Sequence, residues 1–158
     1  MSLEDLGNVG EFLAAIGVIV SLIYLALQIR QNTESVRAST QLASRHAISE
    51  FNRFLAHDDE TARLWRTGLS DIDQLSEDER MRFSILLFNL FGDFESFFHQ
   101  YQKATLEAEH WERWSKVVSF YITRPVVAEW WNKRTFPFTK GFKQYVDGLL
   151  EKQRPRPG

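Results

Sequence analysis

Residues 12–27, FLAAIGVIVSLIYLAL, carry no charge through about four helical turns, and only Ser21 and Tyr24 are polar. A surface helix of a soluble protein needs a polar face, and this stretch has none. At 1.5 Å per residue the run covers about 24 Å, and residues 9–29 cover about 31 Å, close to a bilayer's hydrocarbon thickness. Two other structures have the same pattern: a helix buried at the centre of a soluble bundle, and a cleaved signal peptide. The first needs surrounding elements that a short chain lacks. The second needs a positive amino-terminal region, whereas Glu4, Asp5 and Glu11 make this one acidic. The pattern therefore predicts a membrane-spanning helix over 9–29, preceded by a short tail, 1–8.

Beyond the span no Gly or Pro interrupts the chain between Gly17 and Gly68, and the Ala-, Arg- and Gln-rich sequence predicts helix to about His57. Residues 12–55 then form one rod of about 66 Å. Ile29, Val36 and Ala43 repeat every seven, as do Thr33, Thr40, Ala47 and Phe54, but these knobs are too thin to favour a coiled coil over a helix packed by its own domain. A short helix is predicted over 61–67 with Gly68 as its stop. Ser76 and Glu79 form a capping-box signature that starts the next helix, 77–103. Leu87, Leu90, Phe91, Phe94, Phe97, Phe98 and Tyr101 lie on it at helical spacing. Asp93 and Glu95 argue against a second span there. Further helices are predicted over 106–122, from Pro125 as the first helical residue, and along the stripe Phe142, Tyr145, Val146, Leu149 and Leu150. Strand signals are scarce. The expected fold is all-α: one transmembrane helix continuing into an antiparallel bundle of four to six helices over 30–152, with a disordered tail, 153–158.

Composition sharpens this in two places. The chain has 158 residues, enough for one domain, and thirteen Phe, five Trp and four Tyr supply the bulk of a core. It has no cysteine, which removes disulfides, thiolate catalysis and Cys-ligated metal. The formal net charge of −2 hides an asymmetry: residues 1–27 hold no Lys or Arg, and Arg30, Arg37 and Arg45 follow the apolar run. Basic flanks stay cytoplasmic, so the tail is expected outside and everything from about residue 30 inside.

The run Gly10-Glu11-Phe12, Gly17-Val18, Ser21-Leu22-Ile23-Tyr24-Leu25 and Gln28-Ile29-Arg30-Gln31-Asn32-Thr33 resembles the opening of a group of small bacterial membrane-anchored helical proteins. The resemblance covers the first 45 residues or so well and the rest loosely. It implies a bacterial inner-membrane protein and transfers no activity, cofactor or functional residue.

Candidate chemistry is sparse. Glu107 and His110 form one E-x-x-H motif, and Glu95 and His99 lie four apart. Di-metal bundle sites use two such motifs plus two more carboxylates, so a metal or enzymatic site on Glu95, His99, Glu107 and His110 falls short in ligand count. No nucleophile motif and no phosphate loop occurs. No cofactor is expected, and enzymatic activity has no positive signal. The Phe-rich stripe suits core packing better than a lipid or pigment pocket. Residues 124–143 interleave Arg124, Lys133, Arg134, Lys140 and Lys143 with Trp130, Trp131, Phe136 and Phe138, a mixture suited to an anionic membrane surface. Basic and acidic residues nearly balance beyond the span, which argues against nucleic acid as a partner. Gly10, Ala14, Gly17 and Ser21 make a small-residue face on the span, a surface for helix packing. The expected role is a membrane-anchored scaffold, accessory or assembly subunit, in contact with membrane lipid and forming a homo-oligomer or part of a larger membrane complex.

Overall fold

The computed structural model describes the backbone of residues 3–133 and 135–153, and the side chains of residue 8, 10–133 and 135–152. Arg134 and the tail residues 154–158 lie outside the described residues. Regular structure among the described residues is helical throughout: α1 (Leu3–His57), α2 (Asp59–Ser70), α3 (Glu77–Gln102), α4 (Ala108–Ile122), α5 (Pro125–Asn132) and α6 (Lys140–Gln153). A single 3₁₀ turn, Ile72–Gln74, joins α2 to α3. The chain divides into two units, Met1–Ser39 and Thr40–Gly158.

The first unit is the amino-terminal part of α1. Helix begins at Leu3, so the expected tail is helical for most of its length. Every described side chain from residue 10 to 39 is exposed. The hydroxyl groups here find partners within the helix: Ser21 Oγ donates to the Gly17 carbonyl at 2.8 Å and Thr33 Oγ1 to the Ile29 carbonyl at 2.9 Å. These two hydroxyl groups are thus satisfied without water. Arg30 meets Glu34 at 3.1 Å one turn on.

The second unit is organised around α3. Its stripe Phe83, Leu86, Leu87, Leu90, Phe91, Phe94, Phe97 and Phe98 is buried. Rings from every other part of the unit meet it. Trp65 of α2 lies 5.5 Å from Phe83, Trp114 of α4 is 5.2 Å from Phe97, Trp130 of α5 is 5.4 Å from Phe91, and Phe142 of α6 is 5.7 Å from Phe98. These are edge or tilted pairs at favourable separations, worth about 0.5–1.5 kcal/mol each beyond area burial. The last turns of α1 join the same core through Ala47, Ile48, Phe51 and Leu55. Phe51 packs edge-on against Trp65 at 5.4 Å.

The predicted capping box is present: the Glu79 amide donates to Ser76 Oγ at 3.3 Å, and the Ser76 amide donates to the Glu79 carboxylate at 2.9 Å. The Ser76 amide, followed by the Arg63 guanidinium, holds the Glu79 carboxyl down at about 2. Pro125 occupies the first turn of α5 as predicted. Two boundaries differ. Asp58 caps α2 by accepting from the Thr61 amide at 2.8 Å, so the helix starts at Asp59 with two acids in its first turn. At the other end Gly68 does not stop α2, which runs on to Ser70. Gly68 is buried, and a Cβ there would lie 2.5 Å from the Phe83 ring. Its missing side chain serves close packing, not termination.

Candidate functional site

Two surfaces stand out. The first is the apolar length of α1. Phe12, Val18, Val20, Leu22 and Tyr24 are each at least 59% exposed. Within Gly10–His57 lies a window long and apolar enough to cross a membrane, and none of it is buried by the rest of the chain. Gly10, Ala14, Gly17 and Ser21 are all exposed on this length, and a Cβ added at Gly10 or Gly17 would meet nothing within 4 Å.

The second surface is a groove in the second unit, between residues 47–57 of α1 and 82–93 of α3. Three adjoining hollows of about 350, 220 and 530 Å³ make it, and Phe54 lines all three. The first also has Glu50, Asn89 and Asp93 on its walls, with Phe51 and Leu86. The third is lined by Glu50 again, with Arg53, His57, Asp58 and Arg82. Arg82 is already paired with Glu60 at 2.5 Å. Glu50 and Asp93 make no hydrogen bond or ion pair among the described residues. Burial, with the Glu50 carboxylate as a second cause, pushes the Asp93 carboxyl above the ordinary range. In the sequence Asp93 counts only against a second span, and nothing local marks Glu50 as its neighbour. Each lies on its helix beside the apolar residues that flank the groove, Phe54 and Leu86, at i+4 and i−7, but only the fold brings the two helices together.

Over 124–143, where a membrane-surface patch is expected, the rings are part of the core. Trp130 and Trp131 are buried, as is Phe138, and Phe136 stacks on Phe88 at 4.4 Å. The indole N–H of Trp130 donates to Ser84 and that of Trp131 to Asp147, each at 2.8 Å. Val127, Trp130 and Trp131 fall at i, i+3, i+4, the signature of one inward helix face, which the basic residues around them masked. The cations are dispersed: Lys133 pairs with Glu129 at 2.9 Å, Arg124 lies 4.6 Å over the Phe120 ring, and Lys140 and Lys143 belong to α6.

The four residues weighed as metal ligands fall into two separate pairs, of which only the first caps a helix. Glu95 accepts from the Thr139 amide at 2.6 Å and from its hydroxyl at 2.8 Å, capping the start of α6 from α3. With its proton given to Glu95, the Thr139 hydroxyl accepts from His99 Nε2 at 3.0 Å, which fixes the Nε2–H tautomer. At the start of α4, Glu107 lies 3.7 Å from His110 Nδ1, and the opposite ring nitrogen of His110 meets the Gln41 amide. Among the described residues no three His, Cys, Asp or Glu side chains gather where a metal ion would bind. The Phe residues of the α3 stripe are buried among core neighbours.

Among the described residues the fold is thus all-helical, with one helix long and apolar enough to cross a membrane. No family model, curated protein or solved structure matches the chain.

Proposed function

We propose that this protein is a single-pass anchor in the bacterial inner membrane that presents a cytoplasmic helical domain to partners, as a scaffold or assembly subunit without catalytic activity of its own. The observation that carries the reading is the contrast between the two units. The second unit holds the buried core, while the apolar window of α1 is exposed among the described residues. Leaving such a face in water is unfavourable by roughly 25 cal/mol per Å² of apolar surface, and hydrocarbon removes that penalty. The Lys/Arg asymmetry supports an amino terminus outside and the larger unit inside.

Within the bilayer, Gly10, Ala14, Gly17 and Ser21 form the face on which a second helix, of the same or another chain, approaches closely. Gly17→Leu fills the open space beside that face. The expected outcome is a shift of the detergent-solubilised particle to smaller size on gel filtration with light scattering. An unchanged size profile would remove the face from the proposal. Topology is tested with single cysteines, since the chain has none of its own. A cysteine at residue 2 should react with a membrane-impermeant maleimide in intact cells, and one at residue 120 only after permeabilisation.

A further inference from the structure

The groove beside Phe54 has the dimensions and chemistry of a helix receptor. Its walls are two helices, each contributing about three turns, so it is about 15 Å long and suits an occupant of similar length. Apolar surface is left uncovered along it: Phe54 is 56% exposed and Ile85 47%. At one end Glu50 and Asp93 line the same hollow with no Lys, Arg or His among the lining residues. The adjoining hollow carries Arg53, His57 and Arg82, the last neutralised by Glu60, and Glu50 stands on the border of the two, which leaves Asp93 as the carboxylate farthest from these cations.

We propose that this groove receives a three-turn amphipathic α-helix of a partner protein, its apolar face on Phe54, Ile85 and Leu86 and a Lys or Arg against Glu50 and Asp93. Two carboxylates that face one hollow, with no ion pair of their own among the described residues, repel each other, and a partner's cation relieves both at once. The raised affinity of Asp93 for its proton reflects the same missing countercharge. Anionic lipid headgroups are repelled by this end. A second copy of the chain is poorly equipped as occupant, because the apolar stripes of α3–α6 are committed to its own core. The proposal gives a chemistry to the partner in the scaffold reading above and rests on that reading for its setting, but it does not require the span.

The test uses the full chain in phosphatidylcholine nanodiscs and two labelled helical peptides of about fourteen residues, alike in their Leu face. One bears Lys at the end that meets Glu50 and Asp93, and the other bears Glu there; binding is read by fluorescence anisotropy. The Lys peptide should bind at least tenfold more tightly. Glu50→Gln with Asp93→Asn should abolish that preference, and Phe54→Ala should weaken both peptides. In the unaltered protein the preference should shrink as salt rises, a readout independent of whether the variants fold. Equal binding, no binding, a preference that survives the double variant or one indifferent to salt would each overturn the proposal. So would a photo-crosslinker at position 54 that captures lipid or a second copy. Resistance of the same protein to carbonate extraction reports separately on the anchor, so either idea can fail alone.

Discussion

Gly68 and Gly92 both sit inside helices, yet they do different work. A methyl at Gly68 collides with the fully buried Phe83 ring, whereas one at Gly92 meets nothing within 4 Å. Gly68→Ala should therefore destabilise by about 1–3 kcal/mol through overpacking. Gly92→Ala should stabilise by about 0.5–1 kcal/mol, because the unfolded chain loses freedom that the helix never uses. Urea unfolding followed by tryptophan fluorescence, in one detergent, compares them directly. Ala104 is a third case. It closes α3 at φ 55, the left-handed conformation that favours glycine. Ala104→Gly should raise stability by roughly 1 kcal/mol in the same assay. From the sequence, Gly68 reads as a stop because glycine near a helix end usually is one; the packing reason depends on Phe83, fifteen positions on.

Asp93 adds a pH dependence with a definite sign. Its folded pKa is raised, first by burial and then by Glu50, so the folded protein holds this proton more tightly than the unfolded chain. Asp93 thus opposes folding at neutral pH, and that opposition fades as pH falls through the raised value. Asp93→Asn should stabilise the protein at pH 7 and remove this part of the pH profile, as thermal melts from pH 4 to 8 would reveal. Glu79 works in reverse. Its carboxyl is held at about 2, so its contribution is complete above the ordinary carboxylate value and fades as pH falls towards 2.

At the scale of elements, a helix start is legible where its signal is local. Ser76 with Glu79, and Pro125 after Arg124, are local chemistry, and both mark helix starts in the structure. Ser76→Ala should cost about 1 kcal/mol, measured as a shift in urea midpoint with an unchanged slope. The start of α6 was not legible in this way. Thr139 receives its carboxylate from Glu95 on α3, a partner 44 positions away that no local motif records. The same long-range capping explains why Glu95 and His99 resembled metal ligands: side chains placed to bond a helix terminus have ligand-like spacing. The inward face of α5 was legible at i, i+3, i+4, but the basic residues around it drew attention to the surface instead.

On the scale of the whole molecule, the helical fold and the single long apolar helix follow from periodicity alone. A run of residues 12–27 without a polar face and an α3 stripe at core spacing are strong, local and one-dimensional signals. The groove between α1 and α3 was not legible, because it is defined by the meeting of two helices. Covering the apolar length of α1 is the physical problem that the rest of the chain leaves unsolved. Lipid is the solution proposed here, and it makes a direct demand on the behaviour of the protein in cells. Cells lysed without detergent should yield the full-length chain in the high-speed pellet, and it should stay there through a pH 11 carbonate wash until detergent is added. Recovery of folded protein in the supernatant before any detergent would contradict the account.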